Sequence, residues 1–198
     1  HEDEAGHDHG HDHDKKTVAH CHGEAGVDPH IWLDPENARA IARTMADTLA
    51  KADPERAAVY RQNLASVETG LDTLGQEIAA MLAPVKGKPF VVFHDAYHYL
   101  EARYGVSAAG SIMLNPEVTP GADRLKQGRD RITALGATCV FAEPQFEVGY
   151  VATVVEGTPA RQGTLDPLGS AVQPGPGAYR AMMLDLARNM AGCLSGNS

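Results

Sequence analysis

Positive charge is scarce in this sequence: 17 Lys and Arg stand against 26 Asp and Glu, which leaves a net charge of −9 over 198 residues. A nucleic-acid partner is excluded on that ground, because phosphate binding needs clustered Lys and Arg. No apolar run approaches the ~18 residues of a membrane-spanning helix, so the chain is not itself membrane-spanning. There is no P-loop, no Gly-x-Gly-x-x-Gly and no Gly-x-Ser-x-Gly, so the common nucleotide and serine-hydrolase signatures are missing. Cysteine is limited to Cys21, Cys139 and Cys193. The chain starts at His1 with neither an initiator Met nor a signal peptide. Signal peptidase rarely leaves a mature chain beginning inside a low-complexity tract, so a fragment of a longer protein is expected.

What is abundant is histidine, and it is concentrated. Seven of the ten histidines fall within the first 22 residues. Residues 1–26 hold two basic side chains against seven acidic ones and net −5, while the other 172 residues net −4. The head is therefore a His/Asp-rich tract on a mildly acidic globular body. With almost no apolar side chains it cannot offset the entropy of ordering, so residues 1–26 read as a mobile loop.

Structure is expected from about Asp28 onward. Asp34-Pro35-Glu36 supplies an N-cap, a proline at the first helical position and an early acid. Ile41, Met45 and Leu49 then follow at spacings of four, which predicts a helix over 35–52. Asp53-Pro54 repeats the start signal. Tyr60, Leu64, Val67, Leu71, Leu74, Ile78 and Met81 alternate steps of four and three, predicting one helix over 54–83, about 45 Å long. A helix of that length suits a strut packed along two lobes. Phe90–Phe93 and Thr138–Ala142 read as buried parallel strands, with 106–112 and 163–165 as weaker candidates. Helical stretches at 95–104, 120–136, 145–156 and 176–194 alternate with them. The pattern predicts an α/β fold with a parallel sheet, in which ligands gather at the carboxyl ends of strands.

Three residues at the ends of elements suit metal chemistry. His30 lies in Asp28-Pro29-His30-Ile31-Trp32-Leu33-Asp34-Pro35, just before a helix. His94 directly follows a strand, and Asp166 follows Gly163-Thr164-Leu165. Singly, each has a bland reading: a helix-entry histidine against Trp32, a strand-end histidine, a turn-forming Asp-Pro. Together, two imidazoles and a carboxylate suit a borderline divalent ion such as zinc. The tract histidines (His7, His9, His11, His13, His20, His22) add weight, since imidazole binds zinc, nickel and copper. Two rivals remain. His94 and His98 share the i,i+4 spacing of a zinc-protease motif, which suggests a zinc-dependent hydrolase. Against it, that motif sits inside a helix, and Asp95 is a methylene short for the general base. Alternatively, the tract is the whole function and the protein is a His-rich zinc buffer. Cys139 and Cys193 have two readings, a disulfide worth ~4–5 kcal/mol in an oxidising compartment or two inert buried thiols. Cys21 is left over, as a free thiol or a soft ligand.

With those residues assembled, the chain resembles the zinc-binding substrate-binding proteins of bacterial ABC importers, the ZnuA type. The carrying motifs are the acidic His-rich loop, Asp28-Pro29-His30-Ile31-Trp32-Leu33-Asp34-Pro35, the long helix and Phe93-His94-Asp95-Ala96-Tyr97. Asn115-Pro116-Glu117-Val118-Thr119-Pro120-Gly121-Ala122, Cys139-Val140-Phe141-Ala142-Glu143-Pro144-Gln145-Phe146 and Gly163-Thr164-Leu165-Asp166-Pro167-Leu168-Gly169 follow in order. The resemblance implies α/β lobes joined by one long rigid helix, with zinc in the cleft between them. On the matching positions it implies His30, His94 and Asp166 as metal residues, and Cys139–Cys193 as a disulfide. The tract becomes an accessory low-affinity collecting loop. It further implies a periplasmic, non-enzymatic, monomeric carrier that delivers zinc ion to a membrane ABC permease. The divisions implied are a loop at 1–26, the remnant of an N-terminal lobe at 27–53, the connecting helix at 54–84 and a C-terminal lobe at 85–198. The βα units that precede the His-rich loop in the family, one carrying a further histidine ligand, do not occur in this sequence. These 198 residues alone are therefore expected to hold zinc only weakly, with 27–52 poorly packed.

Overall fold

The computed structural model describes residues 27–112, 121–146 and 148–196. The His-rich tract with Cys21, and the motif residues Asn115–Pro120, lie outside them.

The Asp34 carboxylate accepts a hydrogen bond from Glu36 N–H at 2.9 Å, as its N-cap position predicts, and starts α1 (Pro35–Ala52). A 3-10 turn at Pro54–Arg56 then leads into α2 (Ala57–Leu82), 26 residues and about 39 Å long. The long helix thus begins three residues later than its periodicity suggests. Asp53 caps Arg56 N–H, and that contact tightens the first turn.

The rest alternates strand and helix: β1 (Phe90–Val92), α3 (His98–Tyr104), β2 (Ala108–Ser111), α4 (Ala122–Ala134), β3 (Cys139–Ala142), α5 (Val148–Val155), β4 (Arg161–Thr164) and α6 (Ala178–Ser195). All strand pairs are parallel, in the order β2-β1-β3-β4. The expected α/β fold with a parallel sheet is present. Both faces of the sheet are covered, which explains the unbroken apolar runs. Phe90, Val92, Cys139 and Phe141 join a core with residues of α2, α3 and α6. Val91, Phe93, Val140 and Ala142 join a second core with Ile132, Val151 and Val154 of α4 and α5. Cys139 and Cys193 form a disulfide, with Cα atoms 6.2 Å apart, that ties the start of β3 to the end of α6. The two-thiol reading is thereby set aside.

The apolar seam of α2 is buried only in part. Leu71, Leu74, Ile78 and Leu82 are in the core, whereas Val67 is 46 % exposed. On α1, which packs against α2, Ile41, Met45 and Leu49 are all exposed. Their spacing marked a helix correctly but not a covered face. Residues 27–52 are not uniformly loose, however. Leu33 is fully buried, the Trp32 indole N–H donates to Pro167 O at 2.9 Å, and the Tyr179 hydroxyl donates to Trp32 O at 2.8 Å. The segment carrying His30 is thus fastened to the loop after β4 and to the first turn of α6.

Candidate metal centre

In a sheet of order β2-β1-β3-β4, the chain leaves β1 toward one side and later returns to its other side. The carboxyl ends of β1 and β3 therefore flank a switch point, where crossovers diverge and a crevice opens. His94 follows β1 there and Glu143 follows β3. The His94 Nδ1 lies 2.7 Å from Glu143 Oε1. Opposite, the Trp32-fastened segment brings up His30, whose Nδ1 lies 2.7 Å from Asp28 Oδ1. The two imidazole centroids are 5.4 Å apart. His30 also stands against Trp32, and His94 against the edge of Phe146, so each ring is held by aromatic walls as well.

This arrangement suits one shared ion. Each ring has its Nδ1 committed to a carboxylate, which leaves Nε2 as the nitrogen available for coordination. A zinc ion about 2 Å from each Nε2, at a tetrahedral angle, would place the ring centres about 5 Å apart. The side chains are 19 % and 17 % exposed for His30 and His94, so an ion can reach them from solvent while the rings stay restrained.

Asp166 lies where its sequence position placed it, past the end of β4, but its oxygens are occupied. Oδ1 accepts from Gln145 and Leu168 N–H, and Oδ2 accepts from Ser170 N–H and hydroxyl at 2.6 and 2.7 Å. Among the described residues, no set of three His, Cys, Asp or Glu side chains is grouped to hold a metal ion. His98 opens α3, whereas His94 lies outside that helix. His98 Nδ1 is 3.4 Å from Asp28 Oδ2 and its Nε2 is 3.1 Å from Asp95. The two histidines therefore do not share a helical face, which the hydrolase reading requires.

Asp28 and Glu143 were not singled out from sequence. The strand-end rule that marked His94 also marks Glu143, and Asp28 stands two residues before His30. Burial raises the Asp28 pKa, but hydrogen bonds and charge from His30, with a contact from His98, outweigh it and hold the carboxyl below its usual range. At Asp166 burial is likewise outweighed by the Ser170, Gln145 and Leu168 bonds, and its pKa is lowered. A depressed carboxyl contributes stability above its unfolded pKa, and loses it as pH falls through the folded value. Asp166→Asn should therefore destabilise the fold near pH 6 in urea titrations, and the gap to wild type should close below about pH 4.

Known proteins match this chain closely. The family described as zinc-uptake complex component A, periplasmic (ZnuA), matches residues 1–193. The chain belongs to this family. A high-affinity zinc uptake system protein ZnuA of Brucella suis is 53 % identical over 168 residues, covering 85 % of this chain and 50 % of the relative. A ZnuA crystal structure superposes with a TM-score of 0.72 at 30 % identity, over 84 % of this chain and 62 % of its own. A ZnuA deletion mutant with zinc bound gives 0.68 at 30 % identity, over 84 % and 60 %. The chain thus spans about half to two-thirds of the lengths of the ZnuA proteins it matches. Among the described residues no helix is long and apolar enough to cross a membrane.

Proposed function

We propose that this chain takes part in capturing zinc in the periplasm and handing it to a membrane ABC permease, as a non-enzymatic, monomeric carrier. The observation that carries the reading is the pair of carboxylate-held imidazoles, His30 and His94, facing one another at the switch point. Membership of the ZnuA family and the zinc-bound relative support it. In this reading the ion binds Nε2 of His30 and His94. Asp166 joins as a carboxylate ligand after giving up its bond from Gln145. His7, His9, His11, His13, His20 and His22 form the low-affinity collecting loop. Residues 85–198 act as the C-terminal lobe, 54–84 as the connecting helix and 27–53 as part of the other lobe. Neutral imidazole is the binding form, so acid weakens capture by protonating it.

Two imidazoles and a carboxylate that must first give up a hydrogen bond make a weak zinc site, because zinc favours four donors. Site-resolved imidazole nitrogen NMR of the full chain separates this pair from the tract. His30 and His94 should shift together as Zn²⁺ is added, half-saturating above about 1 µM. His30→Ala should abolish the His94 shift at equal zinc. A shift of His94 that survives the loss of His30 would refute the shared site.

A further inference from the structure

Behind His94 lies a polar group that the ligand assignment does not use. Glu143 is 2 % exposed, and one of its oxygens holds His94 Nδ1 while the other, Oε2, makes no well-formed hydrogen bond among the described residues. Tyr97 lies beside it, 1 % exposed, and its hydroxyl makes no well-formed hydrogen bond among the described residues. Burial, and then the charge of Glu143, push the Tyr97 phenol far above its usual range, so it remains an O–H donor at any physiological pH. A buried carboxylate oxygen beside a buried hydroxyl is costly to leave without a well-formed bond. The two have an obvious completion in each other.

We propose that Glu143 and Tyr97 are positioning residues for the ion, a Tyr–Glu–His series that sets which His94 nitrogen faces the crevice. The proposal rests on the zinc reading of His30 and His94. Glu143 Oε1 accepts the Nδ1 proton and so selects the tautomer whose Nε2 lone pair is open for coordination. When an ion draws electron density from the ring, Nδ1–H becomes a better donor and Glu143 is pulled toward it. The Tyr97 hydroxyl then closes onto Oε2 and spreads the carboxylate charge. The arrangement also bears on selectivity. Glu143 lends its negative charge through the ring without becoming an oxygen ligand. Borderline ions that accept imidazole are therefore favoured over harder ions that need carboxylate oxygen.

Glu143→Gln keeps the side-chain shape and removes the charge. In the full chain, zinc-titrated and followed at the His94 nitrogens, it should weaken binding about 10- to 100-fold. Before any zinc is added, the His94 spectrum should change from a single Nδ1–H tautomer to a mixture. Tyr97→Phe removes one oxygen, keeps the buried ring and should weaken zinc binding about fivefold. It serves as the second measurement if Glu143→Gln does not fold. A zinc-free His94 that already populates both tautomers in wild type would overturn the inference. So would unchanged zinc affinity in Glu143→Gln or, where that variant does not fold, in Tyr97→Phe. Failure of the underlying reading looks different: there, His94→Ala itself leaves the His30 response to zinc unaltered.

Discussion

Reducing the Cys139–Cys193 disulfide should lower the stability of this fold by ~4 kcal/mol, a large share of the ~5–15 kcal/mol typical of a domain. The bridge closes a loop with a sequence separation of 54 residues, which sets the entropy it removes from the unfolded chain. Both cysteines are buried, at 0 % and 2 % exposure, so the reduced thiols gain little solvation in the folded state to offset that loss. The Cys193 carbonyl meanwhile accepts two hydrogen bonds from the Arg161 guanidinium, which keep the end of α6 against β4 without the bridge. The reduced protein should therefore retain its fold and unfold at lower urea. Comparing urea midpoints with and without reductant, and with both cysteines changed to serine, measures the effect. A loss under ~1 kcal/mol would mean that packing and Arg161 alone hold α6 in place.

A comparable effect is expected from Phe141→Ala, at ~3–5 kcal/mol. The ring is fully buried and meets Phe90 edge-on at a centroid distance of 5.7 Å. It occupies space that only glycine leaves open on β4: a Cβ at Gly163 would stand 2.6 Å from the Phe141 ring. Gly163→Ala alone should thus destabilise by ~1–3 kcal/mol through overpacking. Combined with Phe141→Ala, the new methyl enters the cavity and the two losses should not add. Thermal unfolding of the four proteins gives a coupling energy, expected to be favourable by ~1 kcal/mol or more. Simple additivity would show that the neighbouring strands collapse into the cavity by themselves.

Much of this molecule is legible in the order of its residues. Asp34-Pro35 marks the start of α1, and the unbroken apolar runs at 90–93 and 138–142 mark strands covered on both faces. The site is legible in part. His30 and His94 stand out because one histidine beside a helix entry and another at a strand end are unusual together. Asp28 does not stand out because Asp-Pro reads as a turn, and Glu143 does not because it becomes an imidazole partner only once distant elements converge. Glu143 is 49 positions from the ring it holds. Exposure is the least legible feature. Ile41, Met45 and Leu49 have the periodicity of a buried face, and periodicity states which residues share a face, not what covers it.

The fastening of Trp32 carries a consequence for the order of folding. Its indole bonds to a carbonyl 135 residues away, and its own carbonyl receives a hydroxyl 147 residues away. His30 is made well before the segments on which its final position depends. Closing such long loops is entropically slow and is compensated only when those later elements dock. The facing of His30 and His94 thus waits on those later segments. A chain stalled before Tyr179 would carry both imidazoles and the Pro167 carbonyl, yet would lack the hydroxyl bond that completes the fastening of Trp32.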